Sequence, residues 1–274
     1  MSMHPRLRRL FHGGSGRCID IAVDHGLFGE PAFLPGIEDM PAVLELLVAA
    51  APDAIQLSLG QAPLLAERTG ERPALVVRSD VANVYGSEPA AHPFSLVVDG
   101  VVAAAVALDA ACVCVNLFDV PGADDLRRQC IENIARLRSD CDRAGMGLMV
   151  EPLAFKPGRG APEPEGDPER IAALVRQATE LGADVIKADP SDGLRDYRRI
   201  VTVARVPLLV RGGGRVDDAE ILRRTAAVLE LGAAGIVYGR NVIQHERPEA
   251  MVRALRAIVH GDASVEAALA ELGS

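Results

Sequence analysis

Aromatic side chains and lysine are what this sequence contains least of. There is no tryptophan among the 274 residues, and aromatic residues make up 3% of the chain, so the core must be built from Ala, Val, Leu and Ile. Lys156 and Lys187 are the only two lysines, and arginine supplies the other basic side chains apart from histidine. A lysine in an apolar stretch is therefore informative, because a lysine amine can form an imine with a carbonyl and arginine is no substitute for it.

Other absences exclude whole classes of protein. The five cysteines are an odd number without metal-binding spacing, and small buried hydrophobes describe them best. No stretch is long and apolar enough to span a membrane, and the basic N-terminus lacks the apolar run of a signal peptide, so we expect a cytoplasmic protein. The formal charge of −9 argues against nucleic acid or an anionic membrane as a partner.

Strand-like and helix-like patterns alternate along the whole chain. Short apolar runs, without the alternation of a sheet that has one wet face, predict strands at 18–23, 54–57, 74–77, 112–117, 147–150, 185–188, 207–210 and 234–238. Helical patterns follow them at 41–50, 61–68, 94–108, 124–144, 168–181, 194–204, 217–231 and 248–260. Eight such pairs predict a single-domain (β/α)8 TIM barrel over residues 1–274, with a doubly wound open sheet as the alternative.

Lys187 stands at the end of the sixth predicted strand. Pro190 follows it closely and stops the strand. Burial favours the neutral form of an amine, and a neutral amine is a nucleophile. The alternative is a lysine that reaches the strand end and pairs with Asp24 or Asp189.

Polar residues appear where the predicted strands stop, which in a barrel is the rim that carries the active site. They are Asp24, His25, Gln56, Ser58, Arg78, Asp80, Asn116, Glu151, Lys187, Asp189, Arg211 and Arg240. Asp24, Glu151 and Lys187 form a sufficient set for imine chemistry, with Glu151 as general acid/base and Asp24 holding the lysine or moving a proton. Taken singly, Asp24 could be a turn residue and Glu151 the partner of an arginine.

Glycines after the last two predicted strands indicate a phosphate site. Backbone N–H groups of Gly213, Gly214 and Gly239, with Arg240, can approach an anion closely. Arg211 and Arg78 could bind a second anionic group of the substrate, or could pair with neighbouring carboxylates instead. The scattered histidines show no metal-binding pair, so we expect neither a metal nor another cofactor, with a hard-cation site at Asp24, His25 and Glu151 as the alternative.

Three motifs together resemble the class I aldolases, in particular the archaeal-type fructose-bisphosphate, tagatose-bisphosphate and deoxyribose-phosphate aldolases. The motifs are Asp24-His25-Gly26, Val185-Ile186-Lys187 and Tyr238-Gly239-Arg240-Asn241. The resemblance implies a (β/α)8 barrel, Lys187 as the Schiff-base lysine, and phosphate bound after strands seven and eight. Members of this group are commonly oligomeric, so a homo-oligomer is expected.

One position departs from the archaeal-type pattern. Phe155 stands where those enzymes have an acid/base tyrosine, and Glu151-Pro152-Leu153 is more similar to the tagatose-bisphosphate group, whose glutamate has that role. The sequence thus predicts a cofactor-independent class I aldolase acting on a phosphorylated ketose or keto-acid. The alternatives are a phosphosugar isomerase or epimerase, a transaldolase-like synthase, and a phospho-ligand sensor without turnover.

Overall fold

Parallel strands form a closed barrel in the structure, a computed structural model that describes residues 4–86, 90–158 and 161–273. Across those ranges eight parallel strands pair in a ring, which closes between β4 and β5. They are β1 (Cys18–Ala22), β2 (Ala54–Ser58), β3 (Ala74–Arg78), β4 (Cys112–Asp119), β5 (Gly147–Lys156), β6 (Val185–Ala188), β7 (Leu208–Arg211) and β8 (Gly235–Tyr238). Closure removes the exposed sheet edges that an open doubly wound sheet would keep.

Helices surround the barrel and cover its strands. They are α1 (Pro5–Arg8), α2 (Met40–Ala50), α3 (Pro63–Ala66), α4 (Val101–Ala107), α5 (Asp124–Ala144), α6 (Pro168–Glu180), α7 (Tyr197–Ala204), α8 (Asp218–Glu230), α9 (Arg240–Ile243), α10 (Pro248–Gly261) and α11 (Val265–Gly273). Within the described ranges none of them has the length and apolarity needed to cross a bilayer.

The N-terminal segment closes one end of the barrel. Leu7 and Leu10 are buried against inward-facing residues such as Cys18, Cys112 and Val185. The fit is tight, since a Cβ atom added at Gly147 would lie 2.7 Å from Leu7 Cδ1. Because this end is filled by side chains, the interior opens toward the carboxyl ends of the strands, where the polar residues lie.

Most predicted elements lie within two or three residues of the observed ones, and α5 has the predicted bounds. The prediction of one helix over 94–108 was wrong at its start. Ser95–Val97 instead forms a short strand that pairs antiparallel with Asp80–Ala82, and α4 begins only at Val101. The hydroxyl of Ser95 donates to Asp80 at 2.8 Å, so this pairing fixes a carboxylate at the edge of the site.

Strand β5 is longer than predicted. It continues past Pro152 to Lys156, because its register with β4 runs on from Asn116–Glu151 to Asp119–Ala154. Glu151 therefore lies in the middle of a strand, and the expectation that it stands at a strand end was wrong. A strand interior holds a side chain more firmly than a loop does, which suits a group that must be positioned closely.

Candidate active site

A cavity opens at the carboxyl ends of the strands, at the opposite end of the barrel from Leu7 and Leu10. Asp24, Glu151 and Lys187 line it together, and Tyr85 and Arg240 also contribute to its wall. All five belong to different strands or to the loops that follow them. The barrel thus brings together residues that are up to 216 positions apart in the sequence, from Asp24 to Arg240.

Lys187 is the buried amine of this cavity. Its side chain is 4% exposed and points inward from β6. The nearest carboxylate oxygen is Oε2 of Glu151, 3.0 Å from Nζ, and the amide oxygen of Gln56 lies 3.5 Å away. The ion-pair alternative named Asp24 or Asp189, whereas the partner in the structure is Glu151.

Three cations surround Glu151. Besides Lys187, its carboxylate pairs with Arg78 through Oε2 and with Arg211 Nε at 3.1 Å through Oε1. Burial raises the pKa of Glu151, but the charges of Lys187, Arg78 and Arg211 outweigh burial and hold that pKa well below its usual range. Glu151 is therefore a carboxylate at neutral pH, the form that can accept a proton.

Arg78 lies at the centre of a buried ion network. Its guanidinium donates from Nε to Asp24 at 2.8 Å, from Nη1 to Asp80 at 3.4 Å and from Nη2 to Glu151. It is 1% exposed and still lines the cavity, so its carboxylate partners match the ion-pair alternative, and a contact with a substrate anion stays a prediction. Burial raises the pKa of Asp24, but Arg78 and Lys187 more than offset burial and keep that pKa low.

Gln56 and Asn116 form hydrogen bonds to charged side chains of the site. Gln56 donates to Asp24 at 2.6 Å and accepts from Lys187, so it links the acid of β1 to the amine of β6. Asn116 donates to Asp80 at 2.9 Å. The side chain of Asn116 is fully buried and is not among the residues that line the cavity, and its Oδ1 has no hydrogen-bond partner among the described residues, so a role in substrate binding stays a prediction.

His25 packs against the backbone at the start of α9. A Cβ atom at Gly239 would lie 2.3 Å from the imidazole Cε1, so only glycine fits under this ring. Nδ1 of His25 is buried and has no hydrogen-bond partner among the described residues. Burial lowers the pKa of His25 to about 4, so the ring is neutral at physiological pH.

The glycine loop after β7 is braced by neighbouring side chains. Asn241 donates to the carbonyls of Gly212 and Gly214, each at 3.2 Å, and accepts from the Val216 N–H at 3.0 Å. Gly213 lines the cavity, whereas Gly214 lines a separate groove outside the barrel rim. The predicted phosphate residues are therefore split between two surfaces.

Arg240 reaches the cavity from the loop after β8. Its guanidinium donates to the carbonyl of Gly213 at 3.2 Å and stacks over the Phe33 ring, 4.8 Å from the ring centre. In contrast to Arg78 and Arg211, it has no carboxylate partner within the part of the chain that the structure describes. An unpaired guanidinium on a cavity wall is suited to an anion.

Aromatic residues of the loops form one wall that the sequence did not reveal. Tyr85, from the loop after β3, packs on Phe28 and Phe33 with ring centres 4.8 and 5.6 Å apart. Phe155 packs on Phe118 and is not among the residues that line the cavity. A lone tyrosine in a long loop after a strand was the available signal for Tyr85.

Asp20 is the second residue that sequence reasoning missed. It lies inside β1, on the same face as Asp24, and is fully buried. The signal was an acidic residue two positions into an apolar run, with the inward parity of Asp24. Asp20 lies before the end of its strand, so the rule that places site residues at strand ends does not select it.

Comparison with known proteins agrees with this geometry. Residues 18–245 match the family described as DeoC/LacD family aldolase. An uncharacterized aldolase of Saccharolobus solfataricus is 30% identical over 96% of each chain. A 2-amino-3,7-dideoxy-D-threo-hept-6-ulosonate synthase of Halobacterium salinarum is 32% identical over 94% of this chain and 92% of its own length.

A similar solved structure contains a covalent reaction intermediate on its catalytic lysine. An archaeal fructose-1,6-bisphosphate aldolase, seen with its catalytic lysine covalently bound to the carbinolamine intermediate of the substrate, superposes with a TM-score of 0.76. It is 28% identical, and the match covers 94% of this chain and 99% of that one. This likeness favours imine chemistry over the isomerase, epimerase and sensor alternatives.

Proposed function

Because this chain belongs to the DeoC/LacD family of aldolases, we propose that Lys187 is its Schiff-base lysine and that a phosphorylated ketose or keto-acid is its substrate. The chain is a class I aldolase, a lyase that cleaves or forms a C–C bond through a lysine imine. The observation that carries the residue assignment is one buried amine in the cavity, 3.0 Å from a buried carboxylate.

Lys187 must react as the neutral amine, so the proton of its ion pair with Glu151 has to leave Nζ first. Its nitrogen attacks the ketone carbon to give a carbinolamine, which loses water to leave a protonated imine. The positive nitrogen accepts the electron pair released when the C–C bond breaks, and the resulting enamine takes up a proton. The same steps in reverse form the bond.

Glu151 is the proposed acid/base. It lines the cavity beside Lys187, and its low pKa keeps it ionised, so it can accept the hydroxyl proton of the substrate as the C–C bond breaks. The three cations that lower this pKa also weaken Glu151 as a base. Arg211, which pairs with both Glu151 and Asp189, is therefore proposed to set the basicity of Glu151 instead of holding a second substrate anion.

Asp24 and Gln56 are proposed to orient the amine. Gln56 accepts from Nζ and donates to Asp24, whose carboxylate is fixed by Arg78. Asp24 also lines the cavity, so it can exchange a proton with the carbinolamine hydroxyl as water leaves. A neutral His25 beside it offers a further hydrogen-bonding nitrogen to the substrate.

Arg240 is the proposed phosphate anchor, with backbone N–H groups of Gly213 and Gly239. What supports this assignment is a guanidinium in the cavity wall without a carboxylate partner among the described residues. Phe33 holds the guanidinium by stacking, so the donors that face the cavity are pre-positioned. The phenol of Tyr85, whose pKa is raised by burial, stays protonated and can donate to a substrate oxygen.

Borohydride trapping tests the assignment. The enzyme is incubated with dihydroxyacetone phosphate, reduced, and analysed by intact mass and peptide mapping. One adduct on the peptide that contains Lys187 is expected, and none in Lys187→Arg, while Lys156→Arg serves as the matched lysine control. An adduct on Lys156, or catalytic turnover retained in Lys187→Arg, would overturn the assignment.

A further inference from the structure

Arg240 differs from the other cations of the cavity wall. Lys187 lies 3.0 Å from a carboxylate oxygen of Glu151, and Arg211 pairs with Asp189 at 2.8 Å. Arg240 instead donates to a backbone carbonyl and has no carboxylate partner among the described residues. Burial and the nearby Arg211 lower the pKa of Arg240, whereas the acids beside Arg211 outweigh burial and raise the pKa of Arg211. The charge of Arg240 is therefore the one that this wall leaves for a ligand.

Arg78 lines the same cavity, but its charge is already more than balanced. Its guanidinium pairs with the carboxylates of Asp24, Asp80 and Glu151. On one face its central carbon lies 5.6 Å from the centre of the Phe28 ring. A substrate phosphate beside Arg78 would meet these carboxylates, and like charges brought together in a buried site are costly.

The charges around the cavity cancel before a substrate binds. The four cations of the wall, three arginines and Lys187, are matched by four acids that line the wall or pair with it, Asp24, Asp80, Glu151 and Asp189. Asp20, inside β1, can add only negative charge. One phosphate brings about two negative charges at neutral pH, so a second phosphate or a carboxylate would enter a cavity that is already negative.

The rest of the wall favours an uncharged group. Its other large side chains are those of Phe28, Phe33, Tyr85 and Val237, and His25 beside them is neutral at physiological pH. Tyr85 packs on both phenylalanines, so these rings form one continuous surface. Aromatic and aliphatic surface of this kind gains free energy when an uncharged group covers it and offers an anion no counter-charge.

We propose that the donor phosphate is the one anionic group that this cavity binds, and that the aldehyde partner of the C–C bond is uncharged. This inference rests on the proposed roles of Lys187 and Arg240, and it narrows the substrate to a ketose monophosphate, excluding a bisphosphate and a phosphorylated keto-acid. In the direction of bond formation, the enamine carbon bonds to the aldehyde carbon, and the aldehyde oxygen takes a proton from protonated Glu151. Water then hydrolyses the imine and releases the product from Lys187.

Three aldehydes with the same number of carbons test the proposal. Dihydroxyacetone phosphate is the donor, and propanal, D-glyceraldehyde and D-glyceraldehyde 3-phosphate are the acceptors, with product formation followed by mass spectrometry in phosphate-free buffer. The kcat/KM for at least one uncharged aldehyde should exceed that for the phosphorylated one by at least about tenfold, because an unpaired phosphate in a buried cavity is costly.

Asp189→Asn tests whether the balance of charges causes this preference. It takes one carboxylate away from Arg211, so the ratio of the two kcat/KM values should shift toward D-glyceraldehyde 3-phosphate by at least about tenfold. Asp189→Ser removes the same charge should the asparagine variant not fold. Asp184→Asn is the matched control, because Asp184 pairs with Arg138 at 2.8 Å, and neither residue lines the cavity, so the ratio should not change.

Borohydride trapping of dihydroxyacetone phosphate on the same preparation separates the two possible failures. If the adduct forms but D-glyceraldehyde 3-phosphate reacts as well as the uncharged aldehydes, or no uncharged aldehyde reacts, the inference is wrong and the proposed function stands. A ratio that Asp189→Asn leaves unchanged would also overturn the inference, since the preference would not then come from charge. Without an adduct, the proposed function fails and the inference fails with it.

Discussion

Glu151 shows how a single residue can be well placed and still be limited by its partners. Its carboxylate contacts Lys187, Arg78 and Arg211, so it is ionised at neutral pH and its affinity for a proton is reduced. A substrate hydroxyl between Glu151 and the imine would have to give up its proton to a weak base. The electron-withdrawing imine makes that transfer easier, so the two groups depend on each other.

Replacing Glu151 should separate proton transfer by its carboxylate from imine formation at Lys187. Glu151→Gln is expected to lower turnover by about 10²–10⁴ because a general acid/base is lost, while adduct formation at Lys187 is retained. Turnover and borohydride trapping are measured on the same preparation. Glu132→Gln, at an exposed pair on α5, is the matched control and should change neither. Unchanged turnover in Glu151→Gln would move the role elsewhere, with Asp24 as the next candidate.

Tyr85 permits a test with a good internal control. Tyr85→Phe removes only the phenol, and kcat/KM should fall about tenfold if that group donates to substrate, since a lost hydrogen bond of this kind is worth about 1–2 kcal/mol. Tyr197→Phe is the control, because the Tyr197 hydroxyl lies outside the cavity, is buried and has no hydrogen-bond partner among the described residues, so its loss should be neutral or stabilising. Equal kcat/KM in the wild type and Tyr85→Phe would exclude the contact.

Strands and loops contribute differently to what the sequence can predict. The barrel follows from eight apolar runs separated by helical patterns, because parallel strands covered by helices need no polar face. Lys187, Glu151 and Asp24 were found because each is a charged residue in or beside such a run. The short pairing of Asp80–Ala82 with Ser95–Val97 was missed, since a three-residue strand leaves no periodic signal.

Side-chain direction accounts for the remaining errors. Asn116 and Glu151 are register neighbours, yet one donates to Asp80 and the other lines the cavity. Arg78 lines the cavity as expected, and the sequence did not indicate that it would also pair with three carboxylates. These outcomes depend on which partners surround each group in three dimensions, and no spacing rule in the chain encodes them.

The close packing of Gly239, between β8 and α9, against His25 can be tested by substitution. In Gly239→Ala the new methyl group would collide with the His25 ring and lie 2.9 Å from the carbonyl oxygen of Ala22. His25 and the start of α9 must then move apart, so KM for a phosphorylated substrate should rise and stability should fall. Gly60→Ala is the control, since a Cβ atom there meets nothing within 4 Å. Equal KM values would mean that this close packing does not position Arg240.

At the scale of the whole molecule, the acids of the interior pull pH-dependent stability in opposite directions. Asp24 and Glu151 have pKa values lowered by their cations, so their contribution is present above the unfolded-state pKa and is lost as pH falls through the folded one. Asp20 has a pKa raised by burial, so its contribution is present at low pH and is lost as pH rises toward about 7. The three acids together therefore contribute most at mildly acidic pH, whereas the buried His25, whose pKa is lowered to about 4, contributes stability that is lost as pH falls below its ordinary value.

Asp20→Asn should remove only the loss of stability that Asp20 causes as pH rises toward about 7. The folded pKa of about 7 and the ordinary value of 3.8 differ by about three units, each worth about 1.4 kcal/mol. The free energy of unfolding of the variant, minus that of the wild type, should therefore increase by up to about 4 kcal/mol between pH 4 and pH 8 in urea titrations. Any constant cost of an unpaired amide cancels in this comparison. Asp184→Asn, which loses an arginine partner, should be less stable than the wild type by a similar amount at both pH values. A difference for Asp20→Asn that does not change with pH would mean that Asp20 is ionised in the folded protein, and that the barrel tolerates its charge without a partner.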